Sequence, residues 1–236
     1  MSKQTWTCRK CGQSVEAETW SEDVGLVEYL YKCSCGHAEH WAYGQYEYGG
    51  PEITFCFTGH RPDKLGGYDW STPKNQAVIK VLRSKLITLI SEHTGESITF
   101  ICGGALGIDQ MSFEIVQELR TTVCKDENIR LVLAMPFEKQ DANWYNKKDV
   151  EKLRQQRCQA DEVVLVDTIP KYQRHTSPIG TYHPLKMQLR NEYMVDRSDV
   201  VMAVWNGTKG GTANCVTYAK KKGKEIIQIN PDEIQV

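Results

Sequence analysis

The sequence predicts an α/β chain in which a doubly wound, mostly parallel sheet follows a small cysteine-rich β module. Three observations predict it. Beyond Ile53 short β-branched runs alternate with longer amphipathic ones. The short runs are continuously apolar, as strands are when helices cover both faces of a parallel sheet. Composition also breaks near Gly49-Gly50-Pro51, a run of turn formers.

Taken in order, strands are expected at Ile53–Thr58, Ile98–Cys102, Arg130–Met135, Glu162–Val166, Val200–Trp205 and Glu225–Ile229. Helices are expected at about Pro73–His93, Gly107–Cys124, Asp149–Ala160, Pro184–Arg197 and Gly211–Lys222. The first helix shows Ala77, Val78, Val81, Leu82, Leu86, Leu89 and Ile90 at near 3.6-residue spacing. Residues 1–50 form one expected unit and residues 51–236 another, a Rossmann-like domain. The first holds eight of the 22 aromatic residues and four basic against seven acidic groups; the second has 25 basic against 23 acidic.

The balance bounds function. A formal charge of −1 gives no general electrostatic footprint for nucleic acid, whose binders usually carry a basic excess. The longest apolar run, Val200–Trp205, has six residues against the roughly 20 that cross a bilayer, so no membrane span is expected. The first thirty residues are interrupted by charge and lack the apolar centre of a secretory signal. A cytoplasmic protein is expected.

Cys8-Arg-Lys-Cys11-Gly12 and Cys33-Ser-Cys35-Gly36 read as two metal-binding knuckles separated by room for a β-hairpin. Tetrahedral Zn²⁺ takes four soft ligands, and a closed thiolate shell makes the ion structural. A pair of disulfides, or free thiols in a small core, is the alternative, weak in a reducing compartment, and a fifty-residue module is too small to fold comfortably without a staple. The second knuckle has a one-residue spacer, so His37 or His40 is an alternative ligand there. The module's acidic charge argues against phosphate contact; its aromatic content suits packing on the second unit or on a protein partner.

In open α/β sheets ligands collect at the carboxyl ends of strands, where loops and helix N-termini offer amides to anions. Three such ends carry suitable residues: Thr58-Gly59-His60-Arg61, then Gly103-Gly104 through Gly107 to Asp109, then Asn206 through Gly210-Gly211-Thr212. One glycine turn would say little; three along one sheet point to an anion site. Asp109 and Thr212 have helix capping as the competing role. His60 and Arg61 follow a buried strand, where charge serves no packing purpose. Asn143 and Trp144 sit in a segment after the third strand, with Trp144 divided between stacking on a base and packing on the sheet. The polar stretch Asp167–His183, with Tyr172, Arg174, His175, Tyr182 and His183, is long enough for a lid. The basic run Lys220–Lys224 reads as a solvated helix end aided by the helix dipole.

The run TFCFTGHRP, followed by FICGGALGID, AMPFEKQDANW and MQLRNEYMVDRSDVVMAVWNGTKGGTANCV, resembles the YpsA-type branch of the SLOG superfamily over about residues 53–230. That superfamily also includes DprA-like proteins and LOG-type phosphoribohydrolases. The resemblance implies a Rossmann-like sensor or enzyme for nucleotides or nucleotide-derived small molecules, and it allows a homo-oligomer. In the LOG enzymes an Arg before the fifth strand and a Glu three residues past the last Gly-Thr serve N-glycosidic cleavage. Arg190, with Asn191 beside it, matches the first. Cys215 stands where the Glu would be, and a thiol cannot do a carboxylate's work there. Binding by Arg190, Gly210, Gly211 and Thr212 is therefore the leading expectation. A hydrolase, using Asp109, Glu114 or Asp196, is the second, and DprA-like single-stranded DNA binding is disfavoured by charge.

Overall fold

A computed structural model describes residues 3–22, 26–42, 45–48, 51–174 and 177–235; up to residue 50, side chains are described for residues 5–16 and 32–38. Gly49, Gly50 and His175 lie outside the described residues, as does the side chain of His40. The chain divides into two compact units, Met1–Glu52 with His93–Ser97, and Ile53–Glu92 with Ile98–Val236.

The first unit is a five-stranded antiparallel meander: β1 (Lys3–Thr7), β2 (Ser14–Glu22), β3 (Leu26–Lys32), β4 (Ala38–Ala42) and β5 (Gln45–Tyr48), in spatial order. Its two cysteine knuckles are the β1–β2 and β3–β4 turns. Gly12 and Gly36 take positive φ (73° and 87°), which closes each turn, and their amides donate to the carbonyls of Cys8 (2.8 Å) and Cys33 (2.9 Å).

The second unit is a six-stranded sheet of β6 (Glu52–Gly59), β7 (Ser97–Cys102), β8 (Asn128–Met135), β9 (Glu162–Leu165), β10 (Val200–Val204) and β11 (Glu225–Ile229). Its order is β11-β10-β6-β7-β8-β9, with β10 parallel to both β6 and β11 and β8 parallel to β9. Five helices alternate with the strands: α1 (Pro73–Glu92), α2 (Ile108–Thr121), α3 (Lys147–Gln159), α4 (Pro184–Asp196) and α5 (Gly211–Lys221).

Side-chain alternation sorts the strand residues onto two faces. Phe55, Phe57, Phe100, Leu131, Leu133 and Met202 join Leu82 and Leu86 of α1 and Phe113 and Val116 of α2 in one buried cluster. Their intervening neighbours Cys56, Ile101, Val132 and Val201 join Leu189 and Val195 of α4 and Ala219 of α5 in the other. The sheet is therefore covered on both sides, which is why its strands read as unbroken apolar runs. Phe100 stacks on Phe55 and Phe57, with centroids 5.3 and 5.8 Å away, and joins the two central strands across one face of the sheet. The strands end in loops that converge at one rim.

Candidate functional site

A cavity of about 230 Å³ opens at that rim. Thr58 and Gly59 line it from the end of β6, Ala105 and Leu106 from the loop after β7, Gly211 and Thr212 from the start of α5, and Arg190 and Asn191 from α4. Sequence-distant loops thus meet because the sheet is parallel and its carboxyl ends share an edge.

The floor is a buried ion pair. Arg190 Nη1 donates to Asp109 Oδ2 at 3.0 Å, both side chains being nearly inaccessible. The pair has room only because residue 103 is glycine: a β-carbon there would overlap the Arg190 guanidinium and lie 2.5 Å from Asp109 Oδ2. Gly59 answers a similar demand, since a β-carbon on it would lie 2.5 Å from that of Ile108. Gly104 and Gly107 are likewise hemmed in, by Gln140 and by the backbone of His60. These four glycines serve close packing of loop on loop. In the loop after β10, by contrast, Gly207, Gly210 and Gly211 face open space, with nothing within 4 Å of an added β-carbon.

The two helix N-termini at the rim differ accordingly. Asp109 sits in the first turn of α2 and its carboxylate reaches the Ala105 amide at 3.4 Å, so that end already holds a negative charge. In α5 the N-cap is Gly210, no side chain caps the helix and no acid occupies the first turn. Thr212 is turned away, its hydroxyl donating to the Gly59 carbonyl at 2.9 Å. The α5 amides are thus left to an external acceptor. They border a second cavity of about 170 Å³, which His60, Arg61, Lys64 and Lys209 also line. Lys64 Nζ braces this loop by donating to Thr208 Oγ1 (3.0 Å) and the Lys209 carbonyl (3.2 Å).

His60 is buried, and its Nε2 lies 2.7 Å from Asn206 Oδ1. It holds the loop after β10 in place, and the cation that reaches the rim is Arg61, exposed at the mouth. Partial desolvation and the like charge of Arg190 depress the Arg61 pKa, with Asp109 opposing them. Arg190 Nε is buried and without a hydrogen-bond acceptor. Arg61, Arg190, Lys64 and Lys209 outnumber the carboxylates of Asp109 and Asp63 and leave a net positive field at the rim.

A third cavity, about 690 Å³, is lined by Arg61, Leu106, Tyr68, Asn143, Trp144 and Asp149, among others. Tyr68 is presented by a loop that the buried Asn75 fixes: its amide oxygen accepts from Gly66 N (3.0 Å) and its amide nitrogen donates to the carbonyls of Gly67 (3.0 Å) and Asp69 (2.7 Å). The Asn143–Trp144 segment is tied to the β7 loop where Gln140 Nε2 donates to the Gly104 carbonyl at 3.1 Å. Trp144 packs on the core and also borders the cavity. Lys64, Tyr68, Leu106 and Lys209 were not singled out from the sequence. Lys209 lies inside the third glycine loop, where position was a signal; Tyr68 carried none.

The described parts of the segment expected as a lid are tied to α4. Asp167 and Lys186 are buried, with Nζ 2.8 Å from Oδ2, and Nζ also donates to the carbonyls of Pro178 (2.7 Å) and Thr181 (2.8 Å). The three donors of one ammonium pin the segment to α4. The carboxylates named for hydrolysis are also occupied. Asp109 is held by Arg190, Glu114 accepts from Gln156 at 2.8 Å, and Asp196 accepts from Lys171, Tyr172, Tyr218 and Lys222 in a different cavity. Cys215 is buried, and burial pushes its thiol up to about 11, which keeps it neutral near pH 7.

In the first unit the sulfurs of Cys8, Cys11, Cys33 and Cys35 all lie within 4.8 Å of one another, with Cys11–Cys33 at 3.4 Å and Cys8–Cys35 at 3.7 Å. Four thiolates about 2.3 Å from a tetrahedral zinc stand about 3.8 Å apart, so the set fits such an ion. None of the four is in a disulfide. The short second spacer is accommodated without a histidine, His37 being buried outside the cluster. Among the described residues no helix is long and apolar enough to cross a membrane.

Comparison with known proteins places these features in context. The model of the YspA SLOG family matches residues 55–234. A Bacillus subtilis protein described as uncharacterized SPbeta prophage-derived protein YoqJ is 39% identical over 163 residues, covering 67% of this chain and 92% of its own. A UPF0398 protein of Bacillus cereus is 28% identical over 171 residues, covering 72% of this chain and 83% of its own. Among solved structures, DNA processing protein A from Streptococcus pneumoniae aligns with a TM-score of 0.47 at 13% identity, over 75% of this chain and half of that one.

Proposed function

Since this chain belongs to the YspA SLOG family, we propose that its second unit, residues 51–236, binds a nucleotide or nucleotide-derived small molecule as a sensor, sequestering or regulatory protein. The observation that carries the reading is that Arg61 lines all three rim cavities. One guanidinium therefore stands between an end suited to phosphate and an end suited to a base. The phosphate end has the uncapped α5 amides with Lys64 and Lys209. The base end has Tyr68 and Trp144, aromatic faces on which a heterocycle stacks.

In this reading Arg61 contacts the phosphate, while Arg190 and Asn191 face the sugar or a second phosphate. The first unit, residues 1–50, holds a structural Zn²⁺ on its four cysteines and serves folding or a protein partner. No observation favours hydrolysis, because the three candidate carboxylates are already engaged.

The test is a thermal-shift and calorimetric screen of the full chain against nucleotides, dinucleotides and cyclic ADP-ribose-type molecules, with chromatography of the recovered compound. Stabilisation with the compound intact is expected. Arg61→Gln should weaken binding about tenfold or more, the scale of one lost charge-assisted contact. Release of free base or ribose phosphate would establish catalysis instead, and no response to any phosphorylated nucleoside would remove the reading.

A further inference from the structure

The carboxylate of Asp149 faces the aromatic end of the crevice with nothing to do there. It is half-buried and lines the cavity shared by Tyr68, Trp144 and Arg61. An acid in the first turn of a helix usually serves the exposed amides, but in α3 Asn146 already does this, its Oδ1 accepting from Lys148 N at 2.9 Å. Lys152, a cation one turn on along the same helix, is directed elsewhere, its Nζ sitting 3.6 Å above the centre of the Trp70 ring. Among the described residues no donor or cation is bonded to the Asp149 carboxylate. Burial accordingly raises its pKa above the ordinary carboxylate range, with Lys152 opposing. An acceptor without a protein partner in a partly desolvated wall is a recognition element for a ligand that brings donors.

We propose that Asp149 selects guanine at the aromatic end of the crevice, its two oxygens accepting from the ring N1–H and the exocyclic 2-amino group; the inference rests on the nucleotide-binding reading above. An ionised carboxylate only accepts hydrogen bonds, and it has two oxygens side by side. Guanine presents two adjacent donors on its pairing edge. Adenine sets a ring lone pair beside its amine, which would point at one carboxylate oxygen, and uracil flanks its single N–H with two carbonyls. Stacking on Tyr68 or Trp144 would not discriminate among bases, so the choice among them falls to the carboxylate.

The experiment titrates the full chain calorimetrically at pH 7.5 with GDP, IDP and ADP, which share a diphosphate and differ at the pairing edge. GDP should bind at least about tenfold tighter than ADP, with IDP, which lacks the 2-amino group, between them. Asp149→Asn and Asp149→Ala should erase the GDP preference while leaving ADP affinity within about twofold, and the preserved ADP binding shows that the variants are folded. ADP binding as tightly as GDP, or a preference that survives both substitutions, overturns the selection of guanine and leaves nucleotide binding standing. If none of the three binds, the selection of guanine falls, and the wider nucleotide screen decides the underlying reading separately.

Discussion

The guanidinium of Arg190 occupies the space in which a side chain on Gly103 would have to begin. The relationship ties the end of β7 to the middle of α4 and fixes the floor of the rim cavity, because the same guanidinium is held by Asp109. Gly103→Ala should therefore expel Arg190 from its pair and leave a buried charge uncompensated, at a cost of about 3–5 kcal/mol. Gly211→Ala, where open space surrounds the added carbon, should stay within about 0.5 kcal/mol of the parent. Urea unfolding of the two variants checks the contrast, and equal midpoints would deny that Gly103 is required by packing.

The pair Lys186–Asp167 makes a related prediction about the segment between the 3-10 turn Val166–Thr168 and α4. Lys186→Met strands Asp167 in the interior and should destabilise the chain by about 3–5 kcal/mol. Replacing both, as Lys186→Met with Asp167→Leu, should recover much of that loss, because an apolar pair needs no desolvation of charge. Limited proteolysis reports the local consequence: the single variant should be cut within residues 168–183 faster than the parent. Unchanged cleavage would mean that other contacts hold the segment.

These two pairs show where sequence reading reaches and where it stops. The strands and helices after Ile53 were legible because their periodicity is local, and the cysteine knuckles because chelation imposes short spacing. The glycine loops were found, yet the reason for Gly103 lies in Arg190, far along the chain, and not in its own conformation. His60 is expected as an anion ligand because charge after a buried strand has no packing use; it lines a rim cavity and its ring also bonds to Asn206, a structural role that local spacing does not show. Asp167–His183 looked like a lid because it is polar and long. Its closure depends on one lysine meeting one aspartate inside the fold, which no spacing rule reveals.

Asp196 sets an acid limit on stability. Burial alone would raise its pKa, but hydrogen bonds from Lys171, Tyr172, Lys222 and Tyr218 outweigh burial and hold it well below the ordinary carboxylate range. A depressed folded-state pKa gives stability that is complete above the unfolded value of about 3.9 and is lost as pH falls below it. Tyr172 is pushed up to about 12, first by burial and then by Asp196, so it remains a donor throughout. Asp196→Asn should be less stable than the parent at pH 7 and should lose less between pH 5 and pH 2.5. Urea midpoints across that range decide it, and parallel acid limbs would exclude Asp196 as a source.

Metal content tests the cysteine cluster on its own terms. The four sulfurs are close enough to share one ion, so the purified chain should carry about one zinc per molecule by mass spectrometry. Cys8→Ser removes one ligand from a closed shell and should reduce the content to a small fraction, as should dialysis of the parent against a strong chelator at mildly acid pH, where protons compete for thiolate. Cys158 is exposed and lies outside the cluster, so Cys158→Ser should retain the full equivalent. The comparison separates a chelated ion from one bound loosely to surface thiols: zinc lost equally from both variants would place the metal elsewhere.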